Sequence, residues 1–176
     1  LNSLSECDAE MRNFGLIDKA LAVCCPMDLE QSSLTLTKPS NYHIDRYYTR
    51  NLLAMAEERQ RLHPSIEQPK LPTKMSLRLF DEFYTAPLGG FDNRNHYYES
   101  CSPGKKLGAI KIPTQILEAA NDPIIPRASI PTSISNTKVK IRLERCGGHM
   151  GFIGAQRTSW QDKHWLDAYV CHWLQA

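Results

Sequence analysis

The chain has 176 residues, of which 21 are basic and 19 acidic, for a formal net charge of +2. That length can hold one domain with a hydrophobic core, and the near-balanced charge, with no Lys/Arg cluster interleaved with aromatics, excludes nucleic acid as an implied partner. No apolar run approaches the roughly 20 residues of a membrane span, and residues 1–15 are too polar for a signal peptide, so a soluble piece is expected.

In chain order, residues 1–15 read as a loop or helix remnant. Ala20 to Cys25 (ALAVCC) is a continuous apolar run closed by Pro26, the pattern of a strand buried on both faces of a parallel sheet. Asn41 to His63 reads as one or two helices, with Tyr47, Tyr48, Leu52, Leu53 and Met55 as apolar positions and His63-Pro64 as the stop. A proline-rich connection follows. Ser76 can cap a helix carrying Leu77, Leu79, Phe80 and Phe83, and a further helical segment is expected from Asn93 to Ser100.

The pattern then changes to strands. Thr114 to Ala120 is a compact run that ends at Asn121-Asp122-Pro123, and Lys138 to Arg145 alternates, with Val139, Ile141 and Leu143 on one face, as a half-buried strand near a sheet edge. The stretch Ile124 to Asn136 between them has room for one crossover, which Pro126 and Pro131 reduce to a short or broken helix. The last helix is expected to begin at Ser159, with Asp162 completing a capping box and Trp165, Leu166, Tyr169, Val170, Trp173 and Leu174 on one face. The order predicts an α/β fold, part of a mostly parallel sheet flanked by helices with an inserted helical block.

Candidate chemistry sits where two of these strands end. In open α/β sheets, sites form beyond the carboxyl ends of the strands, and Asp122 and His149 each follow a strand there. A carboxylate beside a histidine fixes the imidazole tautomer and stabilises the imidazolium formed when the ring takes a proton from a nucleophile. Gly147 and Gly148 give the loop bearing His149 the backbone freedom to swing the ring into a site. The chain has no GxSxG, and Ser100, Ser102 and Ser159 lack the glycine-flanked turn of a nucleophile elbow.

The other histidines, His43, His63, His96, His164 and His172, show no ligand spacing. The aromatic cluster Phe80, Phe83, Tyr84, Phe91, Tyr97 and Tyr98 fits helix packing, and a cap over an acyl pocket would use the same residues. The six cysteines, Cys7, Cys24, Cys25, Cys101, Cys146 and Cys171, have no paired metal spacing, which favours structural thiols in a reducing compartment and a cytoplasmic location. Cys24 and Cys25, as strand neighbours, should point to opposite faces.

Several segments together resemble one family. LIDKALAVCCPMDLE (Leu16 to Glu30), SLRLFDEFYTAPLGGF (Ser76 to Phe91), HYYESCSP (His96 to Pro103), IPTQILEAANDPIIP (Ile112 to Pro126), CGGHMGFIG and WLDAYVCHWL are similar to the YheT-like branch of the α/β-hydrolases, which also includes the embryogenesis-associated plant proteins and vertebrate α/β-hydrolase-domain lipases. The resemblance covers nearly the whole chain and implies the C-terminal part of one incomplete α/β-hydrolase domain. In it, residues 28–105 form a helical cap or insert, and residues 106–176 hold the strands and helices with the acid and base.

The resemblance further implies a serine hydrolase of the carboxylesterase or lipase type, acting on small-molecule or lipid esters through a Ser-Asp-His triad, with no metal or organic cofactor. Asp122 matches the family's acid and His149 its base. The family's serine elbow lies just upstream of the strand that reads ALAVCCP here, so the serine and the oxyanion loop are expected before Leu1, and the 176 residues alone are expected to be inactive. A non-catalytic binding protein and an inactive truncated product are the alternatives.

Overall fold

The computed structural model describes residues 1–6 and 17–175. Expectations that touch residues 7–16, including Cys7 and most of the N-terminal loop, lie outside the described residues; Asn2–Glu6 is a short helix. The chain forms two compact units, one of Leu1–Met27 with Pro103–Ala176 and one of Asp28–Ser102.

The first unit is built on a three-stranded sheet: β1 (Ala20–Val23), β2 (Thr114–Ala119) and β3 (Val139–Glu144), in that order and all parallel. Ala20 pairs with Thr114, which pairs with Val139 on its other side, so the strands start in step and end at one edge. The parallel sheet and the half-buried alternation of β3 match the sequence expectation; Val139 is buried, Ile141 and Leu143 are half-buried, and Lys140 and Arg142 are exposed. β2, the central strand, is buried along nearly its whole length. Met27, Leu107, Ile110, Ile116 and Val139 form the core, with Ala22, Ile112, Ile134 and Ile141 packed on it.

Three expectations need correction here. β1 stops at Val23 rather than Cys25, and its residues are half-buried rather than closed on both faces. Cys24 leaves the strand with φ 47°, so Cys24 and Cys25 do not alternate as strand neighbours. The last helix spans Trp165–Gln175 and does not begin at Ser159. Asp162 is occupied instead in the preceding turn, accepting from the Thr158 hydroxyl at 2.8 Å and the His164 amide at 3.0 Å, so no capping box forms.

The aromatic face of that helix meets a cation. The Arg142 guanidinium lies 5.1 Å from the Trp165 ring centre and 4.8 Å from that of Tyr169, and the two rings stack at 4.9 Å. Leu174, expected on the buried stripe, is 61% exposed. Lys19 donates to the carbonyls of Trp173 (2.7 Å) and Leu174 (3.1 Å), where a cation complements the negative end of the helix. The crossover between β2 and β3 holds only a single 3-10 turn, Arg127–Ser129, as its prolines dictate.

The second unit, inserted in sequence between β1 and β2, is helical. Asp28 caps the helix Leu29–Leu36, accepting from the Gln31 amide, and Asn93 caps Arg94–Cys101 through the His96 amide. One helix runs over Tyr42–Leu62. Its buried residues are Thr49 and Ala56, at i and i+7, with Leu52 and Leu53 half-buried; Tyr47 and Met55, read from sequence as apolar positions, are 57% and 68% exposed.

Ser76 caps Leu77–Phe80 as expected, but the helix then widens into a π turn at Asp81–Thr85 before Ala86–Leu88. Tyr98 donates to Asp81 at 2.6 Å, and Arg78 ties Ser33 and Glu30 together. No helix among the described residues is long and apolar enough to cross a membrane.

Candidate active site

The turns that follow β2 and β3 are tied together by two consecutive residues. Asn121 Oδ1 accepts from the amides of Gly147 and Gly148, both at 2.9 Å, and so fixes the glycine loop after β3 to the turn after β2. The loop closes on itself where the Phe152 amide donates to the Gly147 carbonyl at 2.8 Å. Gly148 has φ 59°, which favours glycine.

Gly147 is required for a different reason. A Cβ there would lie 2.5 Å from Phe152 Cε1 and 2.9 Å from Ala119 Cβ, and Phe152 is itself 2% exposed. Gly147→Ala is expected to cost roughly 1–3 kcal/mol through overpacking. A denaturant midpoint equal to that of the wild type would contradict this packing.

Asp122 and His149 meet at this junction. His149 Nδ1 lies 2.9 Å from Asp122 Oδ2, and Asp122 Oδ1 accepts from the amides of Ile124 (2.7 Å) and Ile125 (3.0 Å). Pro123 has no N–H, so the next two amides converge on that oxygen. The Asp122 side chain is fully shielded, whereas that of His149 is 27% exposed. A carboxylate with both oxygens already occupied holds the ring in the tautomer with hydrogen on Nδ1, leaving Nε2 free to accept a proton.

The electrostatics follow from this bonding. Burial pushes Asp122 up, but the His149 ring and the Ile125 and Ile124 amides outweigh it, and the carboxyl is held below its usual range. The Asp122 hydrogen bond raises His149 above its ordinary value against the opposing effect of burial.

Two further groups stand beside the pair. Glu118, on β2, is fully buried; one carboxyl oxygen accepts from the Cys25 amide at 3.0 Å, and the other has no hydrogen-bond partner among the described residues. Burial pushes its pKa up to about 7, with the Cys25 amide opposing and the Asp122 charge adding to the rise.

A carboxyl whose folded pKa lies above its unfolded value stabilises the fold most at low pH, and this contribution disappears as pH rises from the usual carboxylate range through about 7. Glu118→Gln cannot ionise. It is therefore expected to gain roughly 3 kcal/mol relative to wild type between pH 4 and pH 8, measured by denaturation at both values. Parallel pH dependence in the two proteins would contradict the buried acid.

Cys24 is the other group, 4% exposed, its thiol pushed up to about 12 by burial and lowered in part by the Met150 amide. Of the four described non-glycine residues with positive φ, three are Cys24 (47°), Met150 (69°) and Phe152 (41°), all in the turns around the pair. Each left-handed residue costs on the order of 1 kcal/mol, strain that tends to collect at functional sites.

The other sequence candidates have local partners of their own. Ser102 accepts from the Leu29 amide and donates to the Tyr98 carbonyl, a structural role within the helical unit. Phe80 and Tyr98 are 3% exposed, with Phe80 stacked on Tyr84 at 4.7 Å, so these members of the aromatic cluster pack the helices. His96 pairs with Asp92 at 3.1 Å and His164 with Asp162 at 3.6 Å, both near the surface. Sequence reading missed Asn121, Glu118 and Cys24 as parts of the junction; the one local signal was a lone acid inside the apolar run of β2.

Comparison with known proteins places this geometry in context. The chain is 32% identical over 162 residues to the YheT protein of Escherichia coli (strain K12), covering 90% of this chain and 47% of the relative. It is 30% identical over 151 residues to human phospholipase ABHD3 (80% of this chain, 37% of the relative). It is 27% identical over 169 residues to monoacylglycerol lipase of Saccharomyces cerevisiae (90% of this chain, 36% of the relative). The chain thus spans about half or less of the length of these relatives. No protein-family model matches it, and no solved structure does.

Proposed function

Because the chain belongs to the α/β-hydrolase superfamily, its relatives being esterases and lipases of that fold, we propose that it carries the acid and base of a serine-type carboxylic ester hydrolase. Asp122 is the acid and His149 the base, and the nucleophilic serine is contributed by sequence outside these 176 residues. The observation that carries this reading is the 2.9 Å contact between His149 Nδ1 and the shielded Asp122 carboxylate at the carboxyl edge of a parallel sheet.

In the reaction, His149 Nε2 takes the hydroxyl proton as the serine oxygen attacks the ester carbonyl. The ring, now an imidazolium, is stabilised by Asp122 and returns the proton to the departing alcohol; water then releases the acyl group by the same steps in reverse roles. The substrates are esters of small alcohols or lipids. The names phospholipase and monoacylglycerol lipase among the relatives support the lipid side of that class.

The test is hydrolysis of chromogenic acyl esters by the protein encoded by the longer reading frame that contains this chain. The rate is expected to rise with pH through the raised value of His149, because only the neutral ring accepts a proton. A continuous frame without a serine elbow, or a protein that hydrolyses no ester, would refute the proposal in favour of a non-catalytic hydrolase-fold protein.

A further inference from the structure

A third side chain reaches the Asp122–His149 contact from β1. Cys24 Sγ, a carboxylate oxygen of Asp122 and a ring nitrogen of His149 all lie within 4.8 Å of one another. The three residues are far apart in sequence and come from three different turns, each at the same end of the sheet. Cys24 and Asp122 are 4% and 9% exposed, whereas His149 is partly open to solvent, so the cluster is closed on two sides and accessible on the third.

The local backbone directs the thiol inward. Cys24 turns out of β1 with φ 47°, and its sulfur lies 3.9 Å from the Gly148 carbonyl. Burial keeps the free thiol protonated, so an ion entering the cluster has to displace that proton.

We propose that Cys24, Asp122 and His149 form a binding site for a borderline-soft divalent cation of the Zn²⁺ or Cd²⁺ type. Thiolate, imidazole and carboxylate are the ligand set of such ions, and a thiolate donor selects against Mg²⁺ and Ca²⁺. One thiolate and one carboxylate balance the charge of a divalent ion, so the buried complex is neutral. Ligand atoms around one zinc ion stand roughly 3.2–3.7 Å apart, so the widest separation here closes by about 1 Å, within reach of side-chain rotation. Water completes the coordination on the open side.

Binding involves no change of oxidation state. The S–H bond breaks, its proton goes to solvent, and the sulfur binds the ion. Coordination through Nδ1 moves the ring hydrogen to Nε2. If His149 is the hydrolytic base, an occupied site has lost the nitrogen that accepts the serine proton, so the cation inhibits; that consequence alone rests on the esterase reading.

The test is titration of the reduced, metal-free chain with Cd²⁺, followed by the ultraviolet sulfur-to-cadmium charge-transfer absorption. One tight equivalent is expected. Cys24→Ser should abolish it, and His149→Gln and Asp122→Asn should each weaken it at least tenfold, although both retain the thiol. His149 is the most exposed of the three ligands, so its variant keeps the test decisive if Cys24→Ser fails to fold.

The absence of a tight equivalent, or unchanged titration of His149→Gln with cadmium held by the other cysteines, would overturn the site. The readout needs no substrate. Failure here leaves the ester hydrolase standing, and a protein that binds Cd²⁺ but hydrolyses no ester refutes that function and not the site.

Discussion

His149→Ala is expected to lower kcat/KM for ester hydrolysis by about ten-thousandfold or more in the longer protein that contains this chain. Among the described residues of the junction, the ring is the group placed to shuttle a proton: Asp122 is shielded and fully bonded, Glu118 is fully buried, and the Cys24 thiol is held protonated by burial. Stability should fall by about 1–3 kcal/mol, because Asp122 Oδ2 loses its partner while Oδ1 keeps the Ile124 and Ile125 amides. Steady-state kinetics and a denaturation curve on the same preparation separate the two effects. A loss below tenfold in a folded variant would remove His149 from the chemistry.

Asp122→Asn tests the partner without removing its shape. The amide oxygen can still accept from Ile124 and Ile125, which leaves the NH₂ group facing His149 Nδ1. A donor at that position forces the ring to accept at Nδ1 and to carry its hydrogen on Nε2, the wrong tautomer for a base. A fall of about ten-thousandfold in kcat is expected. The raised pKa of His149 should also drop, since the Asp122 hydrogen bond is its largest cause; NMR titration of the imidazole reads this directly. An unmoved His149 titration would show that the carboxylate does not govern the ring.

Much of the site was legible because it depends on where strands end. Asp122 follows a compact apolar run and His149 an alternating one, each ending in turn residues, and parallel strands in one sheet bring such ends together whatever their separation in sequence. The caps at Ser76 and the alternation of β3 were equally readable, since both depend on neighbouring residues alone.

What could not be read depends on contacts between distant segments. The role of Asn121 exists only because Gly147 and Gly148 arrive beside it, and Cys24 became part of the junction through a left-handed backbone that no strand pattern announces. At Ser159 the local signal misled. A capping box and a turn compete for the same carboxylate, and Thr158 and His164 took Asp162. In the helix Tyr42–Leu62, the buried positions are the small Thr49 and Ala56, while Leu52 and Leu53 are half-buried and Tyr47, Tyr48 and Met55 exposed, so reading by hydrophobicity recovered only part of the inward face.

The central claim is that Asp122 and His149 serve a serine located elsewhere in the same polypeptide. Its most direct test is reaction of the longer protein with a serine-directed fluorophosphonate, followed by mass spectrometry of the adduct. The account predicts one adduct per polypeptide, on a serine in a glycine-flanked elbow outside these 176 residues, formed by the wild type and lost in His149→Ala. No adduct on the folded wild-type protein, or an adduct that forms equally well without His149, would contradict it.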